Sequence, residues 1–245
     1  MRFPWLEIIA ILRALSNNQP MQFTDEAIIL SSRKFGERDL ICQFFTRTRG
    51  IYGGFVKAGQ SRKKIASYEV GNVVQVNWKA RLDDQLGTAE VEVTNAIGGH
   101  IISEMKRLMA VLSASVLLRR TLAERDPHEV LYEEFLEFLQ DDNWQHAYVK
   151  FELALLRELG FGLDLSQCAV TGRKDNLIYI SPSSGRAVTA EGAIGYEDRL
   201  LSLPCFNTQL SESLGVTEFF LMRNVFAPHN WALPEERARL RKIVN

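Results

Sequence analysis

Cysteine is scarce in this 245-residue chain: Cys42, Cys168 and Cys205 are all it contains. An odd, scattered set builds no disulfide framework and fits a reducing compartment, so a cytoplasmic location is expected. Long apolar runs are missing as well. None approaches the ~18 residues needed to span a bilayer, so no membrane association is expected. Histidine is rare, and His100, His128, His146 and His229 never stand at the HExxH spacing of a zinc hydrolase. There is no GxxxxGK[ST] loop to cradle a nucleotide phosphate and no GxSxG elbow to carry a serine nucleophile. The adjacent carboxylates Asp83-Asp84 and Asp141-Asp142 read as turns or solvated faces. No group of nucleophile, base and orienting residue can be assembled, so neither an enzyme nor a cofactor is expected. A structural zinc needs four ligands, usually in two close pairs. The position that would pair with Cys168 is Thr171, and Cys205 stands alone, so no metal is expected.

What is present is an ordinary globular composition, 46% hydrophobic and 24% charged, enough for a proper core. Residues 1–20 do not read as a secretion signal, because Glu7 interrupts their apolar stretch and Arg13 closes it. They read as an N-terminal extension, with Met21 as an alternative start.

From residue 21 to 98 the chain carries short β-type runs at Glu26–Ser31, Leu40–Thr46, Gly50–Ala58, Val73–Arg81 and Thr88–Thr94. Val74, Val76 and Trp78 alternate with Gln75, Asn77 and Lys79, the period of a half-buried strand. Five short strands predict a small closed barrel. The OB-fold is the commonest five-stranded candidate, and the pattern alone leaves an SH3-like barrel open. From 99 to 245 the period becomes helical. Ile101, Met105, Leu108, Leu112 and Val116 form one stripe, read as core. Leu131, Phe135 and Phe138 form a second, and Trp144 to Leu159 a third helix closed by Gly160. An irregular insert at 164–207 contains one strand at Leu177–Ser181. Helix returns around Val216–Phe226, and a last helix starts at Pro234. The fold class is therefore α+β: a five-stranded barrel followed by a helical domain.

The charge is distributed unevenly. The whole chain carries −1, yet Arg33, Lys34, Arg38, Arg47, Arg49, Lys57, Arg62, Lys63 and Lys64 are opposed only by Glu37 and Asp39, a local balance of +7. A positive stripe binds a polyanion by releasing its counterions. Phe35, Phe44, Phe45, Tyr52 and Phe55 are interleaved with these charges, the combination that single-strand-binding barrels use. The plainer reading is that the aromatics face the barrel core and the cations are a solvated surface. Gly59-Gln60-Ser61 reads as a flexible tip that would let Arg62-Lys63-Lys64 wrap a phosphate backbone without reading sequence.

Several segments resemble the RecO family of bacterial recombination and repair mediators. They are EAIILSSRKFGERDLICQFFTRTRGIYGGFVKAG, the basic loop KAGQSRKK, LLRELGFGLDLSQCAVTG and YISPSSGRAV. The resemblance covers roughly 21–245. It implies an N-terminal OB-fold, a helical domain, and a small zinc-ribbon-like insert. Where metal-binding members place two cysteine pairs, only Cys168 remains here, so the insert is expected to have lost its metal ligands. Leu177, Ile178, Tyr179, Ile180, Ala187 and Val188 are expected to form a small apolar core in its place. The resemblance further implies binding of single- and double-stranded DNA and annealing of complementary strands. Action with RecR, and in some systems RecF, is implied too, with help in loading recombinase onto strands coated by the single-stranded-DNA-binding protein SSB. On this reading the nine basic residues contact phosphates, and Phe35 and Tyr52 are the first choices for stacking on bases. Arg119 and Arg120 are candidates for an apolar groove that takes the SSB C-terminal tail; a solvated helix face is the alternative. The competing function is a protein scaffold whose basic stripe holds an acidic partner without binding DNA.

Overall fold

A computed structural model describes residues 21–81, 85–101, 104–203 and 209–244. The extension at 1–20, Asp83-Asp84 and Cys205 lie outside the described residues. The chain divides into two compact units, 1–99 and 100–245.

The first unit holds five strands: β1 (Met21–Phe35), β2 (Asp39–Thr46), β3 (Gly50–Val56), β4 (Val73–Ala80) and β5 (Gly87–Asn95). They join in the order β1-β2-β3-β5-β4 and close into a barrel. β1 is much longer than its apolar run predicts, because it serves two partners. Residues 21–28 pair with β4 and residues 27–35 with β2, with an irregularity between Ile29 and Ser31. That double service closes the barrel on one side. On the other, β3 meets β5 at Gly54 and Gly87. A Cβ on Gly54 would lie 2.6 Å from that of Ala89, and one on Gly87 would run into the Trp78 indole. The seam therefore closes only without side chains at these two positions. Trp78 fills the space they leave and donates its Nε1–H to Gly53 O at 2.8 Å. Phe23, Phe44, Tyr52, Val74, Val76 and Trp78 are buried together inside the barrel. Phe45 is fully buried too, although adjacent residues of a strand point to opposite faces. Both faces of β2 are thus shielded at this point.

A short helix, α1 (Ile97–Ile101), follows β5. The second unit follows with α2 (Met105–Thr121), α3 (Glu129–Gln140), α4 (Trp144–Glu158), α5 (Leu210–Leu221) and α6 (Glu235–Val244). Leu131, Phe135 and Phe138 are buried as their spacing predicts, and Gly160 takes a positive φ of 84° after α4. The stripe expected to bury α2 is not its buried face. Met105 is 69% exposed, and Leu108, Leu112 and Val116 are only half-buried. Ala110, Val111, Ser113, Ala114, Leu117 and Leu118 are buried in their place. Small residues let neighbouring helices approach closely, but alanine and serine weigh little in an apolar stripe. A π-helical turn at Met222–Phe226 extends α5.

Between α4 and α5 lies a small sheet of order β7-β6-β8, from β6 (Leu177–Ile180), β7 (Ala187–Thr189) and β8 (Leu201–Ser202). Its core is Cys168, Val188 and Ala193, with Leu177, Tyr179 and Leu200 packed on it. Ile178, expected inside, is 43% exposed, because strand alternation turns it away from Leu177 and Tyr179.

Candidate nucleic-acid interface

The basic segments are brought together by hydrogen bonds that sequence reading missed. Gln60 Nε2 donates to Gly36 O at 3.0 Å and to Asp39 O at 2.8 Å. Gln60 N donates to Arg38 O at 2.9 Å, and Ala58 N to Asp39 Oδ1 at 2.7 Å. A side chain on Gly59 would meet Leu40, so this residue sits tight against β2. The segment expected to be a flexible tip is therefore tied to the β1–β2 turn at Ala58 and Gln60. Its polar backbone is satisfied by that turn and not by water alone, which is what fixes a loop. Arg33, Lys34, Arg38, Lys57, Arg62, Lys63 and Lys64 are all exposed, on the two segments so joined.

Arg47 and Arg49 do not belong to this cluster, a correction to the single stripe. They follow the far end of β2, about 26 Å along an eight-residue strand from the β1–β2 turn. Arg47 pairs with Glu26 at 3.2 Å. The Arg49 guanidinium sits 4.9 Å over the Phe23 ring. Asp25 holds the same turn by accepting from Thr48 N and Oγ1 at 3.1 and 2.8 Å.

The two aromatic candidates part company. Phe35 is 52% exposed and stands edge-on to Phe55, centroids 5.9 Å apart. Tyr52 is only 6% exposed and packs edge-on against Phe23 and Trp78 at 4.8 and 5.1 Å. It is a core residue and offers no ring to a base. Its place is set by β3 alternation, which turns Tyr52, Gly54 and Val56 inward and Phe55 outward.

In the helical unit, Arg119 and Arg120 are exposed in the last turn of α2, where cations suit the helix dipole. Burial lowers the Arg119 pKa, Glu236 on α6 opposes that, and Arg120 adds to it. A cleft lined by Phe161, Leu163, Ser183, Phe220 and Arg223 lies elsewhere in this unit. Arg223 donates to Pro182 O across it. Neither Arg119 nor Arg120 lines that cleft, because they stand on a different helix.

Cys168 is the hub of the small sheet. Its Sγ accepts N–H bonds from Val170 at 3.4 Å and from Thr171 and Thr189 at 3.3 Å, with Thr189 Oγ1 at 3.5 Å. Burial raises its pKa, but the bonds from Thr171 and Thr189 outweigh burial and bring it down to about 6. Cys42, inside the barrel, goes the other way: burial pushes it up to about 11 against a weaker lowering by Ser32. Among the described residues no group of three or more His, Cys, Asp or Glu is placed to hold a metal ion. No described helix is long and apolar enough to cross a membrane.

Comparison with known proteins gives the lineage. Residues 21–97 match the family model for the recombination protein O N terminal and residues 102–212 that for its C terminal. A protein of Methylocella silvestris named DNA repair protein RecO is 38% identical over 231 residues, covering 89% of this chain and 93% of that protein. One of the same name from Bartonella tribocorum is 41% identical over 234 residues, covering 90% and 94%. A third, from Rhodospirillum centenum, is 39% identical over 232 residues. Matches of this extent over both units show that the chain belongs to the RecO family of DNA repair and recombination proteins.

Proposed function

We propose that this chain is a recombination mediator that binds single- and double-stranded DNA, anneals complementary strands, and helps load recombinase onto SSB-coated DNA together with RecR. The observation that carries the reading is the tie made by Gln60 and Asp39. It sets the loop with Lys57, Arg62, Lys63 and Lys64 against the turn with Arg33, Lys34 and Arg38. A cluster of seven cations attracts phosphates of any sequence, and binding to it weakens steeply with salt. Annealing follows from neutralisation. Two strands that repel each other are held on one basic surface, and pairing is left to the bases, with no nucleotide hydrolysed.

We read the barrel as an OB-fold, the five-stranded barrel that binds oligonucleotides. The insert is read as a zinc ribbon without its metal. Cys168 and Thr171, and Thr189 and Gly192, repeat the two-residue spacing of a zinc knuckle. A Cβ on Gly192 would lie 3.1 Å from Cys168 Sγ and 3.2 Å from Thr189 Oγ1, so the four positions converge. On this reading the SSB tail, which is acidic and apolar, docks on the helical unit, with exposed Arg119 and Arg120 as candidate contacts and the cleft with exposed Phe161 and Arg223 as a second candidate.

The test is annealing of SSB-coated complementary oligonucleotides at two salt concentrations. Salt-sensitive annealing without nucleotide, lost in a folded Arg62/Lys63/Lys64 triple alanine variant, is the expected result. A wild-type protein that neither binds nor anneals DNA would leave the protein-scaffold reading standing.

A further inference from the structure

The sheet register extends the basic surface to a residue outside the Arg33–Lys64 segment. Arg33 pairs with Ile41, Ile41 with Phe55, Phe55 with Thr88, and Thr88 with Lys79. None of these five side chains is buried, so they form one outward row around the barrel. Neighbouring strands lie about 4.8 Å apart, so four steps carry the row roughly 19 Å from Arg33 to Lys79. Its far half is concave. A cleft of about 460 Å³ is lined by Phe55, Lys57, Lys64, Asn77, Lys79 and Thr88. Three ammonium groups there face a single lining carboxylate, that of Glu90. The Phe55 ring is its half-exposed aromatic, the core residues Phe23, Val56, Tyr68, Trp78 and Ala89 also line it, and Thr24 and Gln22 border it with polar groups.

We propose that this cleft is a nucleotide subsite of the DNA path: a single strand leaving the β1–β2 turn crosses Phe55, which stacks a base, and reaches Lys79, which takes a phosphate. The charge favours a polyanion, and the volume falls in the range of small-ligand sites. A ring beside lysines is the pairing that single strands use, and stacking tolerates any base. A duplex is too stiff to follow a tightly curved barrel wall over this distance. The cleft therefore selects the unpaired strand, whereas Arg62 and Lys63, which do not line it, meet either form. The inference rests on the DNA-binding reading above.

The test is equilibrium binding of a fluorescent dT20 strand and of a 20-bp duplex to the full chain over a salt series. Lys79→Ala is expected to weaken dT20 binding about 3- to 10-fold and to shrink its salt slope by about 0.7. Its duplex affinity should stay unchanged, and Lys174→Ala, in the helical unit, should match wild type for both. Phe55→Leu keeps an apolar side chain but removes the ring. It should leave the melting temperature near that of wild type and abolish the fluorescence change of a 2-aminopurine base placed within the strand. Wild-type dT20 affinity and slope in Lys79→Ala, while an Arg62/Lys63 double alanine variant loses binding, would overturn the path and leave the mediator reading intact. Equal losses on strand and duplex would overturn the selectivity. Absence of DNA binding by wild type would sink both readings.

Discussion

Arg237 Nε lies 2.5 Å from Glu152 Oε1, and neither side chain has any exposure to solvent. Arg237 Nη2 also donates to Leu214 O at 2.9 Å and Thr217 Oγ1 at 3.2 Å. Tyr148 donates to Glu152 at 2.7 Å and stands 2.7 Å from Ser113 Oγ. One buried network thus ties α6 to α2, α4 and α5. Burial alone would lower the Arg237 pKa, but Glu152 and its neighbours raise it, so the guanidinium stays charged. Arg237→Ala should cost about 3–5 kcal/mol, because it strands the Glu152 carboxylate without its partner. Arg237→Met combined with Glu152→Leu should recover much of that loss. Urea unfolding of both variants checks this; an Arg237→Ala midpoint equal to wild type would show the pair to be dispensable.

Barrel closure depends on Gly87. Any side chain there enters the Trp78 indole, which is 1% exposed and cannot retreat. Gly87→Ala should destabilise the first unit by at least about 1–3 kcal/mol. Gly99→Ala, where a Cβ meets open space, is the matched control. Thermal unfolding of the two variants side by side tests the difference.

The pinned loop predicts two separable effects. The Arg62/Lys63/Lys64 triple alanine variant should lower the magnitude of the single-strand salt slope by about 2, one increment of ~0.7 per phosphate contact. Gln60→Ala removes no charge but breaks the side-chain bonds to Gly36 O and Asp39 O, leaving only the ties through Ala58 N and Gln60 N. It should leave the slope nearly unchanged while weakening affinity, since the loop must then be ordered on binding. A slope altered as much by Gln60→Ala as by the triple variant would contradict the division.

Cys168 predicts a pH dependence. Its folded pKa, about 6, lies below the ordinary thiol value of 9.0. A depressed acid contributes stability that is present above the unfolded pKa and lost as pH falls through the folded one. Wild type should therefore gain stability between pH 6 and 9, and Cys168→Ala should lose that gain. Urea midpoints at pH 6, 7.5 and 9 decide it; parallel curves would mean the thiolate does not stabilise the sheet.

The ribbon reading predicts that metal binding can be rebuilt. With Thr171→Cys, Thr189→Cys and Gly192→Cys together, four thiols converge around the Cys168 position. The triple variant should take up one zinc per chain, read by metal analysis after dialysis. A metal-free product that is otherwise folded would sink the lineage proposed for the insert.

Much of the barrel is legible in the sequence. Alternation at Val74, Val76 and Trp78 marks β4 correctly, since a half-buried strand must alternate. The stripes of α3 and the Gly160 stop of α4 are equally plain. The α2 face is not, because small residues, Ala110, Ser113, Ala114 and Ser115, share it with Val111, Leu117 and Leu118, and their burial depends on what approaches them. The full reach of β1 was hidden for a similar reason. Its ends, such as Gln22 and Lys34, are polar and become strand through pairing with Lys79 and Leu40.

The sequence by itself determined the α+β order of elements, the local excess of cations and the family, since each is a property of neighbours along the chain. Only the tertiary structure decided which cations act together. The loop that carries Lys57 and Arg62 is tied to the turn that carries Arg38 because Gln60 reaches back to Gly36 and Asp39, while Arg47, nearer to Arg38 along the chain, is carried off by the length of β2 and held by Glu26. It decided in the same way that Tyr52 is core and Phe55 surface, and that Lys79 shares a row with Arg33. Those are matters of register and of closure at Gly54 and Gly87, and hydrogen bonds between distant strands fix them.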